Sequence, residues 1–198
     1  MMYPSFCSAC GAPTIEREID HYRRSVCTGC GKILYRNPAP AAGCVVESDG
    51  SVLLARRKFE PWKGFWYFPS GFVEYGDDVE DTARREVHEE TGLVVDLGPV
   101  FGVYSYFDDP RQDGIVILYR ALVVGGSLKA GDDAAEVAFF AASGLPPAEQ
   151  IGFATHRRAM GEWYAEIVHG RMAPRAERAR ALLVGSQSMY APSIAQQS

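Results

Sequence analysis

The sequence has no apolar run long enough to cross a bilayer. Its longest, from Ile115 to Val124, is broken by Arg120, and a spanning helix needs about 20 apolar residues. It has no block of basic residues either. Lys and Arg number 20 against 25 Asp and Glu, for a net charge of −5, and they are spread along the chain. That distribution does not point to nucleic acid or an anionic membrane surface as a partner. The N-terminal stretch MMYPSFCSAC lacks the basic segment and apolar core of a secretory leader. No internal repeat is visible. These absences leave a cytoplasmic globular protein with no membrane segment as the expectation. A length of 198 residues suits one medium domain plus a small accessory module.

Cysteine is scarce, and its placement is informative. Of five cysteines, four form two C-x-x-C pairs, Cys7/Cys10 and Cys27/Cys30, and the fifth, Cys44, sits in an apolar run and reads as a buried core thiol. Paired C-x-x-C spacing in an intracellular chain points to metal rather than to disulfides. Four thiolates bind Zn²⁺ tetrahedrally, and a full sulfur shell with no open position implies a structural ion. His21 lies between the pairs but is not needed as a ligand. Gly11 and Gly31 follow the two pairs and let the chain turn back sharply. Residues 1–36 are therefore expected to form a zinc ribbon. Acids interleave with its basic residues, which suits a structural or dimer-forming role, and a homodimer is compatible with it.

Residues 37–170 read as one α/β domain. A proline- and alanine-rich link, Asn37–Ala42, leads into two apolar runs at 41–47 and 51–57, joined through Asp49-Gly50. Asp-Gly between apolar runs signals a hairpin. An aromatic, glycine-containing loop follows, EPWKGFWYFPSG at 60–71. Residues 78–90 are expected to be helical, with Asp77 or Asp78 as the N-cap and Gly92 as the stop. Strands are expected at 93–95, 100–107, 115–124 and 136–141. A second helix is expected over 155–168, with Met160, Trp163, Tyr164 and Ile167 on one side. Residues 171–198 read as a short helix near 174–184 followed by a polar, disordered tail.

Within the first helix the stretch RREVHEETG, residues 84–92, crowds Glu86, Glu89 and Glu90 onto one side. Such neighbours repel by roughly 0.2–0.5 kcal/mol per pair. Such a charge run reads either as a solvated helix face or as a site for a hard divalent cation that supplies the compensating charge, since Mg²⁺ takes oxygen ligands and sits between carboxylates and substrate phosphates. The longer segment GFVEYGDDVEDTARREVHEETGL, residues 71–93, resembles the Nudix box. Gly71, Arg85, Glu86, Val87, Glu89, Glu90, Gly92 and Leu93 match that pattern, while Asp77 stands where the pattern has Glu. WYFPSG resembles the family's lead-in, with Ser70 in place of its first Gly. A zinc ribbon ahead of such a box is similar to the subgroup of NADH pyrophosphatases and zinc-ribbon ADP-ribose or FAD pyrophosphatases.

The resemblance implies an α/β/α sandwich with a mixed sheet, preceded by the small zinc ribbon. It implies an enzyme that uses Mg²⁺ or Mn²⁺ to hydrolyse the pyrophosphate bond of a nucleoside diphosphate linked to another moiety. Glu86 and Glu90 are the implied metal ligands, Glu89 a ligand or water-orienting base, and Arg85 an orienting residue. The carbonyl of Gly71 is a further implied ligand, and Glu74 is similarly placed in relatives. Glu136 is a candidate acid outside the box. Trp66, Tyr104 and Tyr106 are candidates for holding the nucleotide. NADH pyrophosphatases carry Ser-Gln-Pro-Trp-Pro-Phe-Pro-x-Ser shortly after the box. This chain has VFGVYSYFDDPRQDG at 100–114, so ADP-ribose or FAD fits better than NAD(H). A nucleoside triphosphate, capped RNA, or a silent nucleotide-binding role are the alternatives.

Overall fold

A computed structural model describes residues 5–131 and 133–170. The helix expected near 174–184 and the polar tail lie outside the described residues. The chain divides into two compact units after Pro38.

The first unit is a three-stranded antiparallel sheet, β1 (Thr14–Ile19), β2 (Tyr22–Cys27) and β3 (Ile33–Leu34). Asp20 and His21 both take positive φ between the paired residues Ile19 and Tyr22, the conformation of a tight two-residue hairpin. His21 is thus part of the turn. Each C-x-x-C pair sits on a knuckle closed by its glycine. Gly11 N donates to Cys7 O at 2.9 Å and Gly31 N to Cys27 O at 3.1 Å, with both glycines left-handed.

The second unit is built on a seven-stranded mixed sheet. Its path runs β10 (Ala134–Ala141), β5 (Ser51–Arg57), β4 (Ala39–Ser48), β9 (Gly114–Gly126), β8 (Leu93–Tyr106), with β6 (Trp66–Tyr67) beside β5 and β7 (Ser70–Phe72) beside β4. β4 and β9 are parallel and the other pairs antiparallel. Asp49 and Gly50 both have positive φ and join Ser48 to Ser51, as the Asp-Gly signal predicts. One long, irregular strand, β8, replaces the two expected at 93–95 and 100–107. Register shifts between Leu97, Val100 and Gly102 absorb Gly98 and Pro99 without ending the pairing.

Alternation along β4 sorts the core into two layers. Cys44 and Val46 point to α1 (Val79–Thr91), where they join Leu53, Ala83 and Val87. Val45 points to α2 (Ala154–His169), where it joins Leu54, Leu118, Met160 and Trp163. Tyr164 and Ile167, expected on the same side as Met160 and Trp163, are instead about two-fifths exposed. The stripe that touches the sheet is narrower than the sequence pattern. The architecture is an α/β/α sandwich. Among the described residues, no helix is long and apolar enough to cross a membrane.

Candidate active site

The helix that carries the acids is fixed at both ends. Asp78 caps α1, its Oδ1 accepting from Glu80 N at 2.8 Å and from Asp81 N at 3.2 Å. Gly92 ends it in the left-handed conformation, its N–H donating to His88 O at 2.8 Å. Ala83 and Val87 bury one face of the helix against the sheet. That rotation leaves Glu86, Glu89 and Glu90 toward the edge where β7 runs. They line one cavity of about 360 Å³, together with Ser70, Gly71 and Arg85.

The three carboxylates differ in setting. Glu90 is buried at 4% exposure. Its Oε1 accepts from the Tyr67 hydroxyl at 2.6 Å and its Oε2 from Ser70 N at 3.1 Å. Burial outweighs those two bonds and, with the Glu86 charge, pushes the Glu90 carboxyl up to about 8. Glu86 is half-buried, and burial raises it as well, against the pull of Arg85. Its carboxyl occupies the space that a Cβ on Gly71 would need. Glu89 is exposed. Arg85 bridges the group: Nη1 donates to Glu86 Oε1 at 2.8 Å and to Glu89 Oε2 at 2.9 Å. Its Nη2 donates to Phe72 O at 3.4 Å and lies 3.7 Å from Asp77 Oδ2. Asp77 therefore still reaches Arg85 despite its shorter side chain.

One arginine does not balance three neighbouring acids, and two of those acids are driven upward by burial. Hard oxygen donors crowded in this way fit a divalent cation, which lowers the cost of keeping them ionised. The donor set therefore suits such an ion at Glu86, Glu89 and Glu90.

Of the other side chains singled out from the sequence, Tyr106 and Glu74 line the cavity. Trp66, Tyr104 and Glu136 do not, which differs from expectation. Trp66 is buried in the core on the α2 side, edge-on to Phe140 at 4.8 Å. Tyr104 is buried in the same core, and its hydroxyl donates to Glu162 on α2 at 2.7 Å. Glu136 pairs with exposed Arg56 at 3.3 Å. The acid that enters the cavity from that side of the sheet is Asp133. Gly131 N donates to Glu90 O at 3.1 Å and Lys58 N to Asp133 O at 2.8 Å, so the turn before β10 is docked on the end of α1.

Arg57, Tyr67, Asp109, Arg111, Thr155 and His156 also line the cavity, and of these only Tyr67, a ring of the aromatic loop at 60–71, stands out in the sequence. They sit at strand ends, in the loop at 107–113 and at the start of α2, where no periodicity flags them. His156 is buried, and its Nδ1 accepts from Phe68 N at 3.2 Å. With Nδ1 the acceptor, the neutral ring carries its proton on Nε2. Burial, reinforced by Arg57 and Arg157, pushes it down to about 3.

In the first unit the four candidate sulfurs converge, all within 4.8 Å of one another. Cys7 Sγ lies 3.8 Å from Cys30 Sγ, and Cys10 Sγ lies 3.4 Å from Cys27 Sγ. A tetrahedral zinc with Zn–S bonds of 2.3 Å requires S···S edges of about 3.8 Å. Backbone N–H groups of Cys30 and Gly29 donate to Cys27 Sγ, both at 3.3 Å, which favours its thiolate.

Carboxylates and arginines lining one cavity beside the Ser70–Gly71 strand, at a mixed sheet, define a site suited to an anionic substrate together with divalent cations. The family follows from sequence comparison. The NUDIX domain matches residues 37–167 and the Nudix N-terminal zinc ribbon matches residues 5–36, so the chain belongs to the Nudix hydrolases. The ADP-ribose pyrophosphatase of Methanocaldococcus jannaschii is 47% identical over 114 residues, 57% of this chain and 68% of that protein. The NAD-capped RNA hydrolase NudC of Pseudomonas aeruginosa is 33% identical over 144 residues, 72% of this chain, and the chain spans only 49% of that protein's length. A crystal structure of a NUDIX hydrolase from Nitrosomonas europaea superposes with a TM-score of 0.76 at 30% identity, over 86% of this chain and 96% of that one.

Proposed function

We propose that this Nudix hydrolase cleaves the pyrophosphate bond of ADP-ribose, with FAD as the alternative substrate. The observation that carries the chemistry is the placement of Glu86 and Glu90 against the Ser70–Gly71 strand. The name of the Methanocaldococcus relative supports the choice of ADP-ribose. Mg²⁺ or Mn²⁺ is held by Glu86, Glu89 and Glu90, with the Gly71 carbonyl as a further ligand, and Zn²⁺ by Cys7, Cys10, Cys27 and Cys30. When bound, the catalytic ion neutralises phosphate charge and acidifies a coordinated water. The chain's own groups do the rest. Arg85 fixes Glu86 and Glu89 in relation to each other. Tyr67 and the Ser70 N–H orient Glu90. Glu89, the exposed member, is placed to hold the attacking water or share in metal binding. Tyr106 offers a ring for the base at the cavity wall.

The decisive experiment is a substrate panel: ADP-ribose, FAD, NADH, a nucleoside triphosphate and NAD-capped RNA, each with Mg²⁺ and with Mn²⁺. The highest kcat/KM is expected on ADP-ribose. Preference for NAD-capped RNA would move the assignment toward the Pseudomonas relative. No turnover on any of them would leave a nucleotide-binding module instead of an enzyme.

A further inference from the structure

Besides Arg85, which is engaged with the acids of α1, the cavity is lined by two more arginines, Arg57 and Arg111. Arg111 lies in the loop at 107–113 that joins β8 to β9, outside any strand ladder. What holds it is Asp109, two residues earlier. Asp109 Oδ1 accepts from Arg111 N at 2.9 Å and from Arg111 Nε at 2.9 Å, and Oδ2 accepts from Nη2 at 2.6 Å. The guanidinium also lies 5.7 Å from the ring centroid of Phe72. The carboxylate in this pair is 2% exposed, whereas the arginine side chain is 49% exposed.

That asymmetry is informative. Burying a carboxylate costs free energy, and an ion pair that merely decorates a surface needs no buried member. Burial works to raise the Asp109 carboxyl, but the hydrogen bonds from Arg111 and the charges of Arg111 and Arg57 outweigh it and hold it low. The product is a guanidinium fixed in orientation, with its Nε and Nη2 edge occupied and its Nη1 outside these bonds. The loop is also anchored: Asp108 Oδ2 accepts from Ala154 N, at the start of α2, at 2.7 Å.

Arg57 is fixed by other means. Its Nε donates to Pro61 O at 2.7 Å, and its guanidinium lies 5.4 Å from the ring centroids of both Tyr67 and Phe153. Two arginines of one cavity thus have preset orientations and donors to spare. The Nη ends left outside these bonds, held in fixed orientation, are suited to phosphate oxygens.

We propose that Arg111, oriented by the buried Asp109, and Arg57 together form a clamp for the phosphates of the substrate, with Asp109 a positioning residue. This rests on the proposed pyrophosphate chemistry, but binding tests it separately from turnover. ADP is titrated calorimetrically into the metal-loaded full chain, wild type and variants, and the melting temperature without nucleotide serves as the control. Arg111→Ala and Arg57→Ala should each weaken ADP about tenfold or more, the scale of one lost charge-assisted contact. Asp109→Asn should weaken it in the same direction, with KM for ADP-ribose rising more than kcat falls. Unchanged ADP affinity in Arg111→Ala overturns the clamp, as does a wild-type chain that binds no ADP. If Arg111→Ala melts early, Arg111→Lys decides, because it keeps the charge without the guanidinium: weakened ADP binding supports the clamp and wild-type binding overturns it. A wild-type chain that hydrolyses no nucleotide, yet loses ADP on Arg111→Ala, refutes the enzymatic reading and leaves the clamp standing.

Discussion

The carboxyl group of Glu86 fills the space beside Gly71 that any side chain at residue 71 would occupy. A glycine on β7 and a glutamate one helix away thus form a single unit, because the strand must approach α1 closely for its backbone to face the acids. Gly71 has no need of an unusual backbone conformation. Its role is to leave room.

Gly71→Ala should therefore act through Glu86. The added methyl displaces the carboxylate while the two helices and the sheet remain. Turnover is expected to fall roughly a hundredfold, the cost of misplacing a catalytic group by about an ångström. A circular dichroism spectrum and melting temperature close to wild type, alongside steady-state kinetics, check this. Wild-type kinetics would separate Glu86 placement from activity.

Glu90 is buried, accepts two hydrogen bonds and borders the other acids. Glu90→Gln keeps its shape and removes its charge, so turnover should drop at least about a hundredfold, as for loss of a preorganised charged group. In the wild-type chain Mg²⁺ should raise the melting temperature, since an ion that binds only the folded state stabilises it by mass action. The rise should be much smaller in the variant. Thermal denaturation with and without Mg²⁺ measures both.

His156 gives a pH dependence with a defined sign. Its ring is held near 3 in the folded chain, against an ordinary value near 6.5. As pH falls below about 6.5 the unfolded chain takes up a proton that the folded chain does not, so stability is lost between about 6.5 and about 3. His156→Asn retains an acceptor for Phe68 N and removes the titration. Its unfolding free energy should decline less steeply over that interval in urea titrations. Identical slopes would show that His156 does not contribute.

The four thiols should hold about one zinc per chain by elemental analysis. Because such a site forms only on folding, its binding energy is folding energy for the ribbon. A strong chelator, or Cys27→Ser, should unfold the first unit and leave the hydrophobic core of the second. A chain that contains no zinc and still gives the resonances of a folded ribbon would refute the site.

Much of the layout was legible because local signals and the global fold agree. The Asp49-Gly50 hairpin, a cap at Asp77 or Asp78 and the Gly92 stop are all written in short stretches, and the structure selects Asp78 as the cap. The acids of α1 were legible for the same reason, since helical spacing puts them together wherever the helix is placed. Trp66 and Tyr104 show the other case. As large aromatics they were candidates for holding the nucleotide, yet burial on the α2 side of the sheet claims both. Nothing in their neighbours distinguishes a stacking ring from a core ring.

The sequence by itself determined the family and the alternation that builds the sandwich, and it marked the four cysteines and the acids of α1 as candidate metal ligands, because each rests on spacing within short stretches of chain. Only the tertiary structure decided that Asp133, not Glu136, enters the cavity. Only it could bring Arg57, Arg111 and His156, from a strand end, a loop and a helix start, to the same space. Those approaches are set by how the turn before β10 docks on α1 and how the loop at 107–113 is tied to α2, contacts between residues far apart in the chain.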